Sequence, residues 1–534
     1  MIRIYRYLIV LLWMIGAAYA ATDRTADDRL RNDLLHFARS LTQSHFSGTP
    51  VALPASIALD GNWTVSVTPY LHGEPLGTGT GQSHPLYGAV IDAVGGLLST
   101  SGDRHPDEEA IRNARFMIAF SRPGAEDNAL IEYRGKAEEL IGDVVAVRNV
   151  DREMIYTKIM AAKAYLLRAM DEKTHGFHKL YTATSGTFDR RVLTTYSSSA
   201  LYSLLKLNDL KQDGDIVRLI PLIADFILSM QLHEGPYKGA FHYSLSLESG
   251  EKDGRLVVGT ASKTIFTLLE LHRRTNDVRY LDAARSAADW LLSMRNPDGS
   301  VINQVKIENG RPVFDRRYSN LYTGEVLSAL SRMYAATSDR RYYDAAEILA
   351  DNFRERAERN ACFLTDDYRS PTDAVPTSWG VMSLLDFYKI SGNDLYKKVL
   401  RICLGEILKR QKNDPDDMKN YGRIGTGQNT SGNGWINEVT SEVYLTCQKE
   451  HWTGCMTYRE PMLKMTRWLM QNTYSEANTY FLKAPDKAIG GLIRSYKWEE
   501  VRTDAVCHGV NGYINLYNSG IEKPFQREEK GEDQ

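Results

Sequence analysis

Five ionisable residues draw attention because they lie in segments otherwise poor in charge: Glu325, Glu438, Glu442, Asp504 and His508. A carboxylate among apolar and small residues is costly unless it is hydrogen-bonded or takes part in chemistry. Glu325, in Tyr322-Thr323-Gly324-Glu325, is the leading general acid/base candidate, because Gly324 lets a partner approach closely. Asp504 and His508 are four residues apart and share one helix face, so Asp504 can orient and charge-stabilise the imidazole. Glu325 and Asp504, assisted by His508, are the catalytic set this pattern favours. The structural alternatives are a salt bridge to Arg423, Arg494 or Arg502, preferred for Glu442, and a satisfied core histidine for His508.

A second population surrounds these residues. His175, His178, Tyr181, His233, Phe241, His242, Tyr243, Arg317, Tyr318, Asp366, Asp367, Asp373, Tyr421, Arg423, Trp435, Arg494, Tyr496, Trp498 and Arg502 fall in polar stretches between helical segments. Tyrosine and tryptophan pair a flat apolar face with a polar edge, which suits sugar rings. Arginine can grip a carboxylate bidentately. His242, Tyr243, Tyr318, Tyr322, Trp379, Trp435, Arg494 and Arg502 are therefore the expected substrate contacts.

Two kinds of amphipathic segment must position these groups. One kind looks outward: Ile155–Ala169, Asp215–Gln231, Arg279–Arg295, Arg341–Arg356, Asp394–Gln411 and Tyr458–Asn472. In the third, Leu281, Ala284, Ala288 and Leu291 fall on one face while Asp282, Arg285 and Asp289 face away. The other kind opens with small, hydroxyl or aromatic residues: Tyr196–Leu207, Thr260–His272, Ser319–Tyr334, Thr377–Ile390, Trp435–Gln448 and Asp504–Leu516. The unit recurs roughly every 55–70 residues, longer than tetratricopeptide-type repeats. Six of each kind close an (α/α)6 toroid, mainly α, over residues 151–520. Inner-to-outer links such as Thr275-Asn276-Asp277 are short, whereas outer-to-inner links run about 20–30 residues, a length usually reserved for function. All the long links then emerge on one face, which carries the cleft.

Residues 21–150 lack the hairpin repeat and read as a small α+β domain, with helices at Leu30–Leu41 and Leu86–Leu98 and strands at Trp63–Thr68, Phe116–Phe120 and Ala129–Tyr133. The glycines between Leu76 and Gly81 lack the lysine and the strand–turn–helix setting of a phosphate loop and read as a flexible hairpin or loop. Arg3 and Arg6, an apolar run over Tyr7–Ile15 and Ala18-Tyr19-Ala20 make residues 1–20 a secretory signal peptide. An uncleaved version of that segment would hold the protein near a membrane. The charged stretch 521–534 reads as a disordered tail. The expected location is periplasmic or secreted.

Across 534 residues the net charge is −2, with no basic stripe, which argues against a nucleic-acid partner. The five cysteines are too few and too odd in number for a disulfide framework. Cys447 and Cys455 can meet across a helix end in an oxidising compartment, and Cys403, on an apolar stripe, reads as a buried thiol.

Three resemblances follow. The toroid resembles the six-hairpin carbohydrate-active enzymes: glycosidases, polysaccharide lyases and sugar epimerases. Within them, Tyr322-Thr323-Gly324-Glu325-Val326 followed by Thr337-Ser338-Asp339-Arg340-Arg341-Tyr342 resembles the C-terminal domain of D-glucuronyl C5-epimerases. The stretch from Trp63 through Gly81 to Asn113-Ala114-Arg115-Phe116 faintly resembles the AMMECR1-like domain, without that family's hallmark cysteine. Cys507-His508-Gly509 looks like the zinc motif of lanthionine cyclases. Ile436, however, stands where those proteins carry a further thiol, so no metal and no cofactor is expected. The resemblance to the six-hairpin enzymes implies an enzyme acting on a polysaccharide or oligosaccharide, which the signal segment makes an exported one; hydrolysis is the favoured reaction, with Glu325 and Asp504, singled out above, as its carboxyl pair. Uronic-acid C5-epimerisation or lysis, a non-catalytic glycan-binding module and a cyclase-like protein are the alternatives.

Overall fold

The computed structural model describes residues 30–121 and 150–521, apart from 31–32, 35, 72–73, 100–106, 184, 297, 309–310, 360–361, 363–372, 415–419, 426–428, 476–478, 480–481 and 496–497. The signal segment, the strand expected at Ala129–Tyr133, the 522–534 tail, Asp366, Asp367 and Tyr496 lie outside the described residues. The chain divides into two compact units, Met1–Arg134 with Glu476–Pro485, and Gly135–Ser475 with Asp486–Gln534. Among the described residues no helix is long and apolar enough to cross a membrane.

In the first unit, strand Trp63–Leu71 is central to an antiparallel sheet. Arg115–Ser121 pairs along one edge; Gly79–Ser83 and Glu74–Pro75 pair along the other. Trp63, Val65 and Val67 alternate into the core, as the period of two requires. The glycine-rich stretch, read as a flexible hairpin or loop, belongs to a hairpin: Gly79–Ser83 is a strand paired antiparallel with Trp63–Val67. A Cβ at Gly79 would stand 1.8 Å from Ala93 O, and one at Gly81 2.2 Å from Ala89 O. The bare glycines thus let helix Leu86–Ser99 ride directly on the sheet backbone.

The second unit is the toroid. Six inner helices, Thr194–Leu210, Val258–Thr275, Asn320–Thr337, Ala374–Ser391, Thr430–Lys449 and Thr503–Ser519, pack each against the next, and the sixth against the first. Each of the first five turns back into an outer helix: Gly214–Ser229, Val278–Ser293, Arg340–Arg359, Asp394–Leu408 and Arg459–Gln471. The sixth inner helix takes its outer partner, Arg152–Arg168, from the start of the unit, so the first and last helices of the unit close the ring. Small and hydroxyl residues let the inner helices crowd together. Ser198 Oγ lies 2.9 Å from Thr264 Oγ1, and Thr267 Oγ1 donates to Ser198 O at 2.8 Å.

The long links fold into a collar of short antiparallel strands: Arg191–Leu193 with Ser244–Ser246, Arg255–Val257 with Gln304–Glu308, and Leu180–Thr182 with Trp498–Arg502. The collar also starts the helices. The amides of Thr194, Val258 and Thr503 donate to Tyr243 O, Asn303 O and Lys179 O, each on a neighbouring link, at 3.1, 3.0 and 3.1 Å. The other three inner helices use side-chain caps, Ser319, Asp373 and Asn429.

Two disulfides, Cys362–Cys403 and Cys447–Cys455, cross-link the second half of the ring. This corrects the reading of Cys403 as a buried thiol. Cys362, the partner, lies in a long link some forty residues earlier, beyond the reach of a helical-stripe argument.

Candidate active site

A cavity of about 220 Å³ opens where the six inner helices begin. Its wall follows one rule: the sixth residue of every inner helix lines it, giving a ring of Ser199, Lys263, Glu325, Trp379, Trp435 and His508. Tyr196, Tyr243, Tyr322, Arg502 and Asp504 complete the charged and aromatic part of the wall, and Ser431 adds a hydroxyl.

Three pairs of ionisable side chains meet there. Arg502 grips Asp504 through two bonds, Nε to Oδ1 at 3.0 Å and Nη2 to Oδ2 at 2.6 Å, and also donates to the Tyr196 hydroxyl at 2.9 Å. Ser431 Oγ donates to the same Oδ2 at 3.1 Å. Burial pushes Asp504 up, but the Arg502 guanidinium and then His508 outweigh it and hold the carboxyl down to about 2. Burial, with Asp504 second, drives Tyr196 well above the ordinary phenol range.

Lys263 Nζ stands 3.4 Å from Glu325 Oε1 and 5.2 Å from the centre of the Trp379 ring. Glu325 is only 3 % exposed, and its pocket is cut from the neighbouring helix: a Cβ at Gly259 would sit 2.2 Å from Oε2. Gly324 has a different role from the one expected. It admits the backbone of Trp379, whose carbonyl would be 2.9 Å from an added Cβ, so the close approach is by the neighbouring helix rather than by a partner of Glu325.

His508 completes the set. Its Nδ1 lies 2.7 Å from Glu438 Oε2, and Asn511 Nδ2 donates to the other Glu438 oxygen at 2.9 Å. The imidazole is therefore oriented by Glu438, not by Asp504 as the four-residue spacing suggested. With Nδ1 engaged, Nε2 is the ring nitrogen left to exchange a proton. Trp379 and Trp435 stack with ring centroids 3.9 Å apart, and Trp435 and the imidazole meet in a T-shaped contact at 5.0 Å.

Of the residues singled out from sequence, Tyr243, Tyr322, Glu325, Trp379, Trp435, Arg502, Asp504 and His508 come together in this cavity. Three expected contacts do not line it. His242 is held in the collar, with Nδ1 3.1 Å from Asp253 O, in the same way that His178 Nδ1 lies 2.7 Å from Asp189 O. Tyr318 lies under the Arg356 guanidinium at 3.6 Å. Arg494 is paired with Glu500. Glu442 is an ion-pair residue, but with Lys206 rather than with any of the three arginines proposed for it. The Thr337–Tyr342 turn sits at the far end of the third inner helix, where Ser338 takes a positive φ and Asp339 caps Arg341.

The Cys507-His508-Gly509 motif offers poor metal chemistry. Burial pushes the Cys507 thiol far above its ordinary value, and Cys447 and Cys455, the remaining thiols that would have to complete a ligand set, are bonded to each other. Among the described residues no group of three or more His, Cys, Asp or Glu side chains could hold a metal ion.

Solved structures share this architecture. Cellobiose 2-epimerase from Bacillus thermoamylovorans superposes with a TM-score of 0.53 at 13% identity, over 69% of this chain and 99% of that one. A GH76 α-mannanase from Bacteroides thetaiotaomicron gives 0.52 at 14% identity, over 70% and 98%. A D-mannose isomerase gives 0.54 at 11% identity, over 72% and 99%. The toroid is the fold they share. No protein-family model and no curated protein matches the sequence.

Proposed function

We propose that this chain is a carbohydrate-active enzyme that performs proton-transfer chemistry on a sugar held in the toroid funnel, with His508 as the principal acid/base. The carrying observation is His508, backed by Glu438 and set in the same cavity wall as the Trp379–Trp435 stack and the Lys263–Glu325 pair. A histidine with one ring nitrogen fixed by a buried carboxylate is built to accept and return a proton through the other. Abstraction at the carbon next to the sugar carbonyl gives an epimerase if the proton returns to the other face of that carbon, and an isomerase if it goes to the former carbonyl carbon; two of the structures named above carry such names.

Hydrolysis is the second reading, favoured by the fact that Glu325 and Asp504 line the same cavity. It is weaker because both Asp504 oxygens already accept hydrogen bonds and its carboxyl is held down to about 2. A carboxylate so engaged binds and orients better than it attacks.

Incubation of purified protein in D2O with neutral and acidic mono- and oligosaccharides separates the readings by mass spectrometry. Recovered sugar that has gained one deuterium without chain cleavage supports the epimerase or isomerase reading. Shorter chains without carbon-bound deuterium favour hydrolysis. Binding without any product leaves a glycan-binding module.

Export is part of the proposal. Two disulfides in one ring suit an oxidising compartment, in agreement with the basic and apolar pattern of residues 1–20. Alkylation of protein purified from its native host, before any reduction, should modify none of Cys362, Cys403, Cys447 and Cys455. Labelling of all four would overturn the export reading.

A further inference from the structure

We infer that the funnel selects a neutral sugar and rejects uronic acids and other anionic saccharides; the inference rests on the sugar-binding role proposed above. Its basis is how the charges lining the cavity are already spent. Arg502, the group best shaped to hold a carboxylate, has two of its guanidinium nitrogens on Asp504 and one of these also on Tyr196. Lys263 faces Glu325. The ring of His508 is backed by Glu438, itself 5 % exposed. Just outside the wall, Arg255 lies over the Tyr243 ring and is bound through two nitrogens to Asp253.

Every cation that lines the funnel therefore already faces a carboxylate. Counting Lys263 and Arg502 against Glu325, Asp504 and the supporting Glu438, the region has no positive excess while His508 is neutral. A substrate carboxylate would have to displace Asp504 or Glu325 from its partner and leave that carboxylate buried beside another anion. A hydroxyl has no such conflict. It can donate to Asp504 or Glu325 and accept from Arg502, Ser431 or Lys263 while the pairs stay intact. Discrimination of this kind acts by penalising the wrong ligand, which is how charge usually confers specificity.

Matched hexose and hexuronate oligosaccharides, titrated by saturation-transfer NMR, test the inference. The hexose series should bind about tenfold or more tightly than the hexuronate series, with little change on adding salt. Asp504→Asn releases the Arg502 guanidinium and should raise hexuronate affinity while lowering that for hexoses. Glu325→Gln should do the same through Lys263, and it supplies the reading if Asp504→Asn does not fold. Tighter hexuronate binding by the wild-type protein, weakened by salt, would overturn the inference and leave the sugar-binding role standing. Binding of neither series would overturn that role itself.

Discussion

The two ends of the inner helical ring are made of similar parts and put to different use. At the sixth position of the inner helices stand Ser199, Lys263, Glu325, Trp379, Trp435 and His508, around an open cavity. Seven residues further along, at the thirteenth position, stand Lys206, Glu270, Arg332, Asp386, Glu442 and Asn515. Seven residues are two helical turns, or about 10 Å. The second ring also pairs its charges: Lys206 Nζ lies 3.3 Å from Glu442 Oε1, Asn515 Nδ2 donates to the same oxygen at 3.0 Å, and Arg332 Nε meets Asp386 Oδ2 at 2.8 Å. Burial lowers Lys206 and Arg332, but Glu442 and Asp386 outweigh it and raise both. These pairs fill the ring's interior and none lines the cavity. A buried ion pair is thus not in itself the sign of a site. What distinguishes the first ring is open space, a stacked aromatic pair and a histidine with one nitrogen to spare.

The sharpest test of this contrast is to remove one group from each ring. His508→Asn should lower turnover by about 10²–10⁴-fold, with a melting temperature close to wild type. If turnover persists, His508 is a core histidine and the first ring loses its acid/base. Asp386→Ala should do the reverse. It leaves Arg332 buried without its partner and should cost about 3–5 kcal/mol of stability, while turnover per folded molecule is kept. A catalytic defect in Asp386→Ala without a fall in melting temperature would erase the difference between the rings.

A smaller effect is expected at Gly259. A methyl there would meet the Glu325 carboxylate, so Gly259→Ala should shift that group and lower turnover by up to about 10²-fold, as misplacement of a positioned group does. Melting temperature and turnover measured together decide the matter. Loss of stability alone would make Glu325 a structural partner of Lys263.

The least pronounced effect concerns acid. Asp504 in the first ring and Glu442 in the second are both held down to about 2, burial opposing and their cationic partners prevailing. A depressed carboxyl adds stability above its unfolded value, near 4, that is lost as pH falls toward its folded value. Acid unfolding between about pH 4 and pH 2 should therefore flatten in Asp504→Asn and in Glu442→Gln, and flatten further when the two are combined. Asp504 should contribute no limb to the pH–rate profile near neutrality. A limb removed by Asp504→Asn would assign it the titrating role instead.

The helices were legible because their information is local. The apolar stripe of Leu281, Ala284, Ala288 and Leu291 and short links such as Thr275-Asn276-Asp277 act within one or two turns, and the structure places helices on both sides of that link. The wrong inferences were about partners. Asp504 and His508 do share a helix, and four-residue spacing offered Asp504 as the orienting group. Glu438, seventy residues earlier, holds that place because the fifth and sixth inner helices pack side by side. Cys403 looked self-sufficient on its stripe until the ring brought Cys362 to it. Lys263 was passed over although a signal existed: aligning the six inner-helix starts puts it in register with Glu325, Trp379, Trp435 and His508. The alignment depends on where each helix begins, and three of those starts are set by hydrogen bonds from the collar rather than by a capping residue in the sequence.

By itself, then, the sequence determined the periods: apolar residues every three to four positions, twelve segments in alternation, and long links always following the outer kind. Those features depend on neighbours a few residues apart, and local sterics and burial suffice to enforce them. Only the tertiary structure decided that Glu438 backs His508, that Lys263 faces Glu325, that Cys362 joins Cys403, and that His242, Tyr318 and Arg494 stay out of the cavity. Those contacts join groups tens of residues apart that closure of the ring brings within a few ångströms, and nothing in their spacing along the chain encodes the distances.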